Sequence, residues 1–128
     1  MAACLMGVDS QIPSVLSNTH PSPIQMDGAV YLTVEHAYQA AKTQDPAWRK
    51  AVQVQPTGAQ ARRTGRRSPL RPDWARIKVA IMLGALTAKF SDPTLRAALL
   101  ATGDAILEER NTWDDRFWGT CNGTGENT

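Results

Sequence analysis

The sequence is poor in the residues that build metal centres and disulfide frameworks. It has two cysteines, Cys4 and Cys121, near opposite ends of the chain, and two histidines, His20 and His36. Two cysteines do not make a disulfide framework, and nothing in the sequence has the spacing of zinc ligands. There is no HExxH motif and no G-x-S-x-G motif. We therefore expect no metal and no cofactor, and catalysis by a Ser or Cys nucleophile is the weaker hypothesis. We expect His36 to have a structural role or to support the residues that contact the substrate.

Long hydrophobic runs are also missing. The longest apolar stretch, residues 79–86, is far shorter than the roughly 20 residues that a membrane-spanning helix needs. The N-terminus lacks the charged and then apolar segments of a signal peptide. A chain of 128 residues with 42% hydrophobic content suits one domain with one core. We expect a cytoplasmic protein that forms a single domain over residues 1–128 and has no membrane partner.

Positive charge is unevenly distributed, although the net charge is only +2. One short segment contains six arginines: Arg62, Arg63, Arg66, Arg67, Arg71 and Arg76. Such a segment indicates a phosphate-bearing partner, either a nucleotide or a polymer, and a solvated loop is the alternative. Two glycines and three prolines within residues 56–72 predict a long loop. Lys78 is a further candidate phosphate contact, because a lysine on an apolar helix needs a counter-charge or access to solvent.

The local patterns predict an α+β fold that is predominantly helical. Asp27-Gly28 between short apolar runs predicts a hairpin turn, and Thr33 and Asp73 are predicted helix N-caps. Helices are predicted over residues 34–42, 48–54, 74–90 and 93–101. Apolar residues surround almost the whole helix 74–90, which is typical of a buried central helix. Residues 105–108 are predicted as a strand or one more helical turn.

The first predicted helix carries the most informative polar residues. Glu35, Gln39 and Lys42 lie at i, i+4 and i+7 and therefore share one helix face. The helix dipole stabilises a negative charge in the first turn, where Glu35 lies. This arrangement suits a nucleophile or a general base. The alternative is an ordinary solvated face with a Glu–Lys pair.

Tryptophans are candidate contacts for a base, in a chain with only 6% aromatic residues. Stacking on a base contributes about 1–3 kcal/mol, although each ring could instead fill the core. Trp118 is the better candidate, because it follows Asp114 and Asp115 in a segment without helical or strand periodicity. Trp74 begins the longest predicted helix.

Several of these segments resemble the NADAR, or YbiA-like, family. Two motifs are specific: T-x-E-H-x-x-Q-x-x-K at residues 33–42 and D-x-x-W-G at residues 115–119. The other matching stretches follow in the family's order, from about residue 15 to the end: Leu16-Ser-Asn18, Pro23-Ile24, Asp27-Gly28, Gly65-Arg66, Arg71-Pro-Asp-Trp74, Lys78 with Met82, residues 85–90, residues 99–104, Glu108, Gly123, Gly125 and Asn127.

The resemblance implies a single compact domain and a set of functional residues. It places the catalytic acids at Glu35 and at Asp114 or Asp115. It implies these substrate-binding residues: Asn18, Gln39, Lys42, Arg66, Trp74, Lys78, Trp118 and Asn127. The sequence departs from the family at Thr19, where many relatives have an aromatic residue, and residues 1–14 match poorly. Relatives also continue with a final amphipathic helix that this sequence lacks.

Members of the family hydrolyse N-glycosidic bonds. Some act on phosphoribosylamino intermediates of riboflavin synthesis, and others remove ADP-ribose from guanine bases of nucleic acid. The resemblance thus implies a hydrolase of a phosphorylated ribosyl or nucleotide-like compound, acting through a carboxylate beside an oxocarbenium-like centre. Its partner would be a small nucleotide-like molecule or ADP-ribosylated nucleic acid. The alternatives are a non-catalytic module that binds ADP-ribose or an NAD derivative, and a plain nucleic-acid binder.

Overall fold

Helices dominate the computed structural model, which describes residues 14–111 and 113–128. Within these residues the helices are α1 (Val34–Ala41), α2 (Pro46–Gln53), α3 (Gly58–Arg67), α4 (Trp74–Lys89) and α5 (Pro93–Leu100), with a 3₁₀ turn at Ser14–Leu16. The strands are β1 (Ile24–Met26), β2 (Ala29–Tyr31), β3 (Arg110–Asn111) and β4 (Thr120–Cys121). The predicted α+β, mainly helical class is confirmed. Cys4 and the rest of residues 1–13, which form most of the poorly matching N-terminal segment, lie outside the described residues.

Contacts along the chain divide it into two compact units. One unit, residues 19–92, contains the hairpin β1–β2 and helices α1 to α4. Of the described residues, 14–18 and 93–128 form the other unit, in which α5 packs on the 3₁₀ turn and β3 pairs in parallel with β4. In the part of the chain that the structure describes, no helix is long and apolar enough to cross a membrane.

Helix α1 is the centre of the larger unit. It packs against α2, α3 and α4 and also contacts both strands of the hairpin, and all eight of its residues are buried. The predicted cap is confirmed, since Thr33 Oγ1 accepts a hydrogen bond from the His36 N–H (3.1 Å). His36 Nε2 donates to the Gln55 carbonyl (2.8 Å), and its Nδ1 lies 2.7 Å from Thr33 Oγ1. These contacts agree with the structural or supporting role predicted for His36, because they join the ring to the cap of α1 and to the Gln55 backbone.

Helix α3 corrects the prediction of a long loop over residues 56–72, which is wrong. Thr57 caps the helix with a hydrogen bond from the Gln60 N–H to its hydroxyl (3.2 Å). Glycines normally weaken a helix, but here they lie where α3 approaches its neighbours most closely. A Cβ at Gly58 would lie 2.6 Å from Thr19 Cγ2. The glycines that suggested a loop in the sequence instead permit close packing.

Helix α4 is only partly buried, so the prediction of a buried central helix is wrong. Its buried residues are Trp74, Met82, Ala85, Leu86 and Lys89. Val79 and Leu83, four residues apart on the other side, are 47% and 60% exposed. Asp73 precedes the helix but makes no side-chain cap, because its carboxylate accepts bonds from the Arg71 guanidinium (2.7 and 3.2 Å).

The remaining elements follow simple local rules. Asp27 and Gly28 both have positive φ (51° and 78°), as a two-residue type I′ turn requires, so the predicted hairpin is confirmed. Helix α2 begins at Pro46, earlier than predicted, because the side chain of Asp45 caps it. Residues 105–108 adopt neither of the predicted regular structures.

Candidate active site

The carboxylate of Glu35 lies at the buried contact between α1 and α3. Gln39 Nε2 donates to Glu35 Oε1 (2.9 Å), and Arg62 Nε donates to the same oxygen (3.0 Å). Only 6% of Glu35 and 3% of Gln39 is exposed. The predicted shared face of Glu35 and Gln39 is thus real, but the alternative of a solvated face is excluded.

The two oxygens of this carboxylate have different surroundings. Both hydrogen bonds that Glu35 accepts from the described residues end on Oε1, and none of these residues donates to Oε2. A carboxylate oxygen can accept more than one hydrogen bond. Oε1 therefore anchors the group, while the lone pairs of Oε2 remain for a water or a positive centre.

Gln39 is held in one orientation by its neighbours. Its Nε2 must face Glu35, because a carboxylate oxygen accepts and does not donate. Its Oε1 is buried and receives no hydrogen bond within residues 14–111 and 113–128. The side chain lies against Gly65, where a Cβ would come within 2.8 Å of Gln39 Cβ. Gly65 thus gives α3 the close approach that brings Arg62 to Glu35.

The six arginines of the arginine-rich segment lie in different surroundings. Arg62 bonds Glu35, and Arg71 bonds Asp73. The other four arginines are exposed and form no ion pair with the described residues: Arg63, Arg66, Arg67 and Arg76. Arg66 stays a predicted substrate-binding residue that nothing in the structure tests, and sequence reasoning missed the position of Arg62 beside Glu35.

Trp74 and Lys42 meet through Tyr38. The Trp74 and Tyr38 rings lie edge to face, with centroids 5.0 Å apart, and Lys42 Nζ lies 5.6 Å from the Tyr38 centroid. Trp74 is buried, whereas Lys42 and the α4 residue Lys78 are half-buried. Lys42 and Lys78 thus combine partial burial with some access to solvent, and Trp74 contributes to the core.

In the smaller unit, Asp115 organises a turn. Its Oδ1 accepts hydrogen bonds from the backbone N–H groups of Phe117 (3.2 Å) and Trp118 (3.0 Å). The side chain of Asn111 makes two hydrogen bonds with the backbone of Asp115. Its Nδ2 donates to the Asp115 carbonyl (2.8 Å), and its Oδ1 accepts from the Asp115 N–H (3.0 Å). Trp118 is buried and meets Phe117 edge to face at 4.8 Å.

Asp114 differs from its neighbour Asp115 in exposure, in its ion pair and in its backbone conformation. Its side chain is 71% exposed, it forms an ion pair with Arg116, and its φ is +64°. Of the two candidate acids, Asp115 is the one integrated into the turn that carries Trp118. The structure thereby separates two residues that adjacency made indistinguishable in the sequence.

The side chain of Asn127 is bonded to the backbone of the segment that contains residues 107–109. Asn127 Oδ1 accepts from the Glu109 N–H (2.9 Å), and its Nδ2 donates to the Leu107 carbonyl (2.7 Å). This amide therefore holds the 107–109 segment in place. Asn18 is buried. Among residues 14–111 and 113–128, no three His, Cys, Asp or Glu side chains are placed to hold a metal ion.

Comparisons with known proteins identify the family. The model of the NADAR domain matches residues 6–128. The chain is 41% identical over 115 residues to N-glycosidase YbiA of Shigella boydii serotype 4, covering 87% of this chain and 71% of that protein. It is 37% identical over 107 residues to riboflavin biosynthesis protein VVA0006 of Vibrio vulnificus, and the match covers 81% of this chain and 29% of that protein. The NMR structure of E. coli YbiA superimposes with a TM-score of 0.73 at 35% identity, over 93% of this chain and 73% of that one. These similarities place the chain among enzymes of the N-glycosidase class, and it belongs to the NADAR family.

Proposed function

We propose that this chain hydrolyses the N-glycosidic bond of a phosphorylated ribosyl or nucleotide-like compound, with Glu35 as its acting carboxylate. The observation that carries the proposal is the asymmetry of Glu35: two donors hold Oε1, and none of the described residues bonds Oε2. A fixed, buried carboxylate with one available oxygen suits a reaction in which positive charge develops on a sugar. The name N-glycosidase, given to YbiA of S. boydii, supports the same chemistry.

The reaction needs few groups from the protein. As the bond between C1′ and the nitrogen breaks, positive charge develops on the ribosyl ring, and the negative charge of Glu35 stabilises it. A water that gives a hydrogen bond to Oε2 loses its proton to that oxygen as it attacks C1′. The proton that Glu35 accepted passes to the freed nitrogen, directly or through solvent, which restores the carboxylate. The products are the free base or amine and the phosphorylated ribose.

We also propose roles for the other residues that match the family's motifs. Asp115 is the second acid, because it is part of an ordered turn whereas Asp114 is exposed and paired with Arg116. The substrate-binding roles go to Trp74 and Trp118 for the base, to Lys42, Lys78 and Arg66 for phosphate, and to Asn18, Gln39 and Asn127 for position.

Two substrate classes fit this chemistry. One is a phosphoribosylamino compound of the kind suggested by the riboflavin biosynthesis name of the Vibrio vulnificus relative. The other is guanine carrying ADP-ribose, free or within nucleic acid. Both present a phosphorylated ribose whose C1′ is bonded to nitrogen, so Glu35 would act in the same way on each.

The test is direct. The purified protein is incubated with a phosphoribosylamino pyrimidine and, separately, with an ADP-ribosylated guanine oligonucleotide, and the released base or amine is measured by chromatography. We expect release from one of them and at least ~10²-fold less with Glu35→Gln. Release from neither, together with tight binding of ADP-ribose by calorimetry, would contradict the hydrolase and favour a binding module.

A further inference from the structure

We propose that Arg62 is a positioning residue that acts through Glu35 and does not contact substrate phosphate. The inference rests on the proposed function of Glu35 and adds a residue to its machinery. In the sequence, Arg62 is one of six clustered arginines that indicate either a phosphate-bearing partner or a solvated loop. Its contacts separate it from them.

Arg62 points to the inner side of α3. The buried residues of this helix are Gly58, Ala61, Thr64 and Gly65, so Arg62 lies at the edge of the inner face. Its side chain is 20% exposed, whereas the neighbouring Arg63 is exposed to solvent. The Nε–H of Arg62 donates to Glu35 Oε1 at 3.0 Å, a charge-assisted bond whose direction is set by the planar guanidinium.

This bond determines which oxygen of Glu35 can react. Arg62 approaches from α3 and Gln39 from within α1, and both bonds end on Oε1. Two donors from different helices fix the carboxylate against rotation, so that Oε2 keeps one direction. A misplacement of about 1 Å can reduce a rate by about 10²-fold. Loss of Arg62 should therefore act on the chemical step.

The inference also predicts that the charge of Arg62 alone is insufficient. A lysine would keep the positive charge, but its ammonium group lacks the planar fork that directs the Nε–H of arginine. We expect Arg62→Lys to recover only part of the activity lost in Arg62→Ala. A simple electrostatic role would give full recovery.

Steady-state kinetics on matched substrates test the proposal. Arg62→Ala, Arg62→Lys and the adjacent control Arg63→Ala are compared on the phosphorylated substrate and on its dephosphorylated form. We expect Arg62→Ala to lower kcat by about 10–100-fold on both forms of the substrate, with a KM within about threefold of wild type. The control Arg63→Ala should keep the wild-type kcat on the dephosphorylated form. A loss confined to the phosphorylated form and to KM would make Arg62 a phosphate contact and overturn the inference.

A second measurement, hydrogen exchange of the Arg62 side chain in the wild-type protein, tests the bond even if a variant fails to fold. In the ¹⁵N-labelled wild-type protein, the Nε–H of Arg62 should exchange with water much more slowly than that of Arg63, and this protection should disappear in Glu35→Ala. Exchange as fast as that of Arg63 would overturn the inference. An active enzyme in which Arg62→Ala keeps full kcat would overturn it while leaving the proposed function intact. An inactive wild type would contradict the proposed function itself.

Discussion

Gly65 lies so close to Gln39 that no side chain fits between them: a Cβ at position 65 would lie 2.8 Å from Gln39 Cβ. Because Gln39 bonds Glu35 and Arg62 bonds the same oxygen, this approach of two helix backbones determines the geometry of the carboxylate. A residue with no functional group of its own thus supports the candidate active site.

Replacing Gly65 by alanine should therefore reduce activity and stability together. The added methyl group must displace Gln39, and overpacking of this kind costs about 1–3 kcal/mol of unfolding free energy. The matched control is Gly84→Ala in α4, where a Cβ would meet nothing within 4 Å; that change should stabilise the protein by about 0.5–1 kcal/mol. Urea unfolding and initial rates measure both effects. Equal stability changes in the two variants would show that the contact at Gly65 is unimportant.

Glu35→Gln should separate rate from binding. The amide keeps the shape and an acceptor for Gln39 and Arg62 but removes the negative charge, so the rate should fall by at least ~10²-fold while the substrate Kd changes far less. Arg62 also loses the carboxylate with which it pairs, and we expect the free energy of unfolding to fall by about 1–3 kcal/mol. Single-turnover rates and calorimetry distinguish these effects. A fully active variant would remove Glu35 from the mechanism and favour Asp115 instead.

The two adjacent aspartates should respond differently to neutralisation. Asp115→Asn keeps the oxygen that accepts from Phe117 and Trp118, so the turn should persist while the negative charge is lost. If Asp115 is the second acid, kcat should fall by about 10²-fold or more, and Asp114→Asn should stay within a few-fold of wild type. Circular dichroism is the control that checks whether both variants fold. The opposite pattern would assign the role to Asp114.

Trp118 should contribute to the fold as well as to the site. Its ring is buried against Phe117, so Trp118→Ala should lower the free energy of unfolding by about 3–5 kcal/mol. Trp118→Phe retains an aromatic face and should preserve much of both stability and affinity. Thermal melting and a ligand titration by tryptophan fluorescence test this pair. Unchanged melting of the alanine variant would show that the ring contributes little to the core.

Stability should fall in acid because of Glu108. The hydrogen bond from Thr120 Oγ1, and then that from Arg110, lower the pKa of Glu108 below its ordinary value of 4.5. A carboxylate whose folded-state pKa is lowered stabilises the fold above the unfolded pKa, and that contribution is lost as the pH falls through the folded pKa. Urea midpoints measured from pH 6 to pH 3 should therefore decline less steeply in Glu108→Gln. Parallel curves would show that the pKa of Glu108 is the same in both states.

Local signals in the sequence were sufficient for α1 and for the hairpin. Thr33 caps α1 through its own hydroxyl, and Asp27-Gly28 supplies two positive φ values, so neither feature depends on distant residues. The i and i+4 spacing of Glu35 and Gln39 gave their shared face for the same reason.

Features that depend on tertiary packing could not be predicted in this way. Gly65 weakens an isolated helix, and only the presence of α1 makes it an advantage. The apolar pattern of α4 does not reveal that Val79 and Leu83 remain exposed. The pairing of Arg62 with Glu35 joins residues 27 positions apart, for which a single sequence provides no periodicity.

The complete burial of α1 has a consequence for mutational tolerance. Every one of its eight residues is enclosed, so a substitution there changes volume, polarity or hydrogen bonding in a packed interior. The exposed positions of α3, such as Arg63 and Arg67, face no such constraint. In a randomly mutated library selected for folded protein, substitutions in α1 should therefore be lost first. The helix that holds Glu35 should tolerate fewer substitutions than the exposed positions of α3.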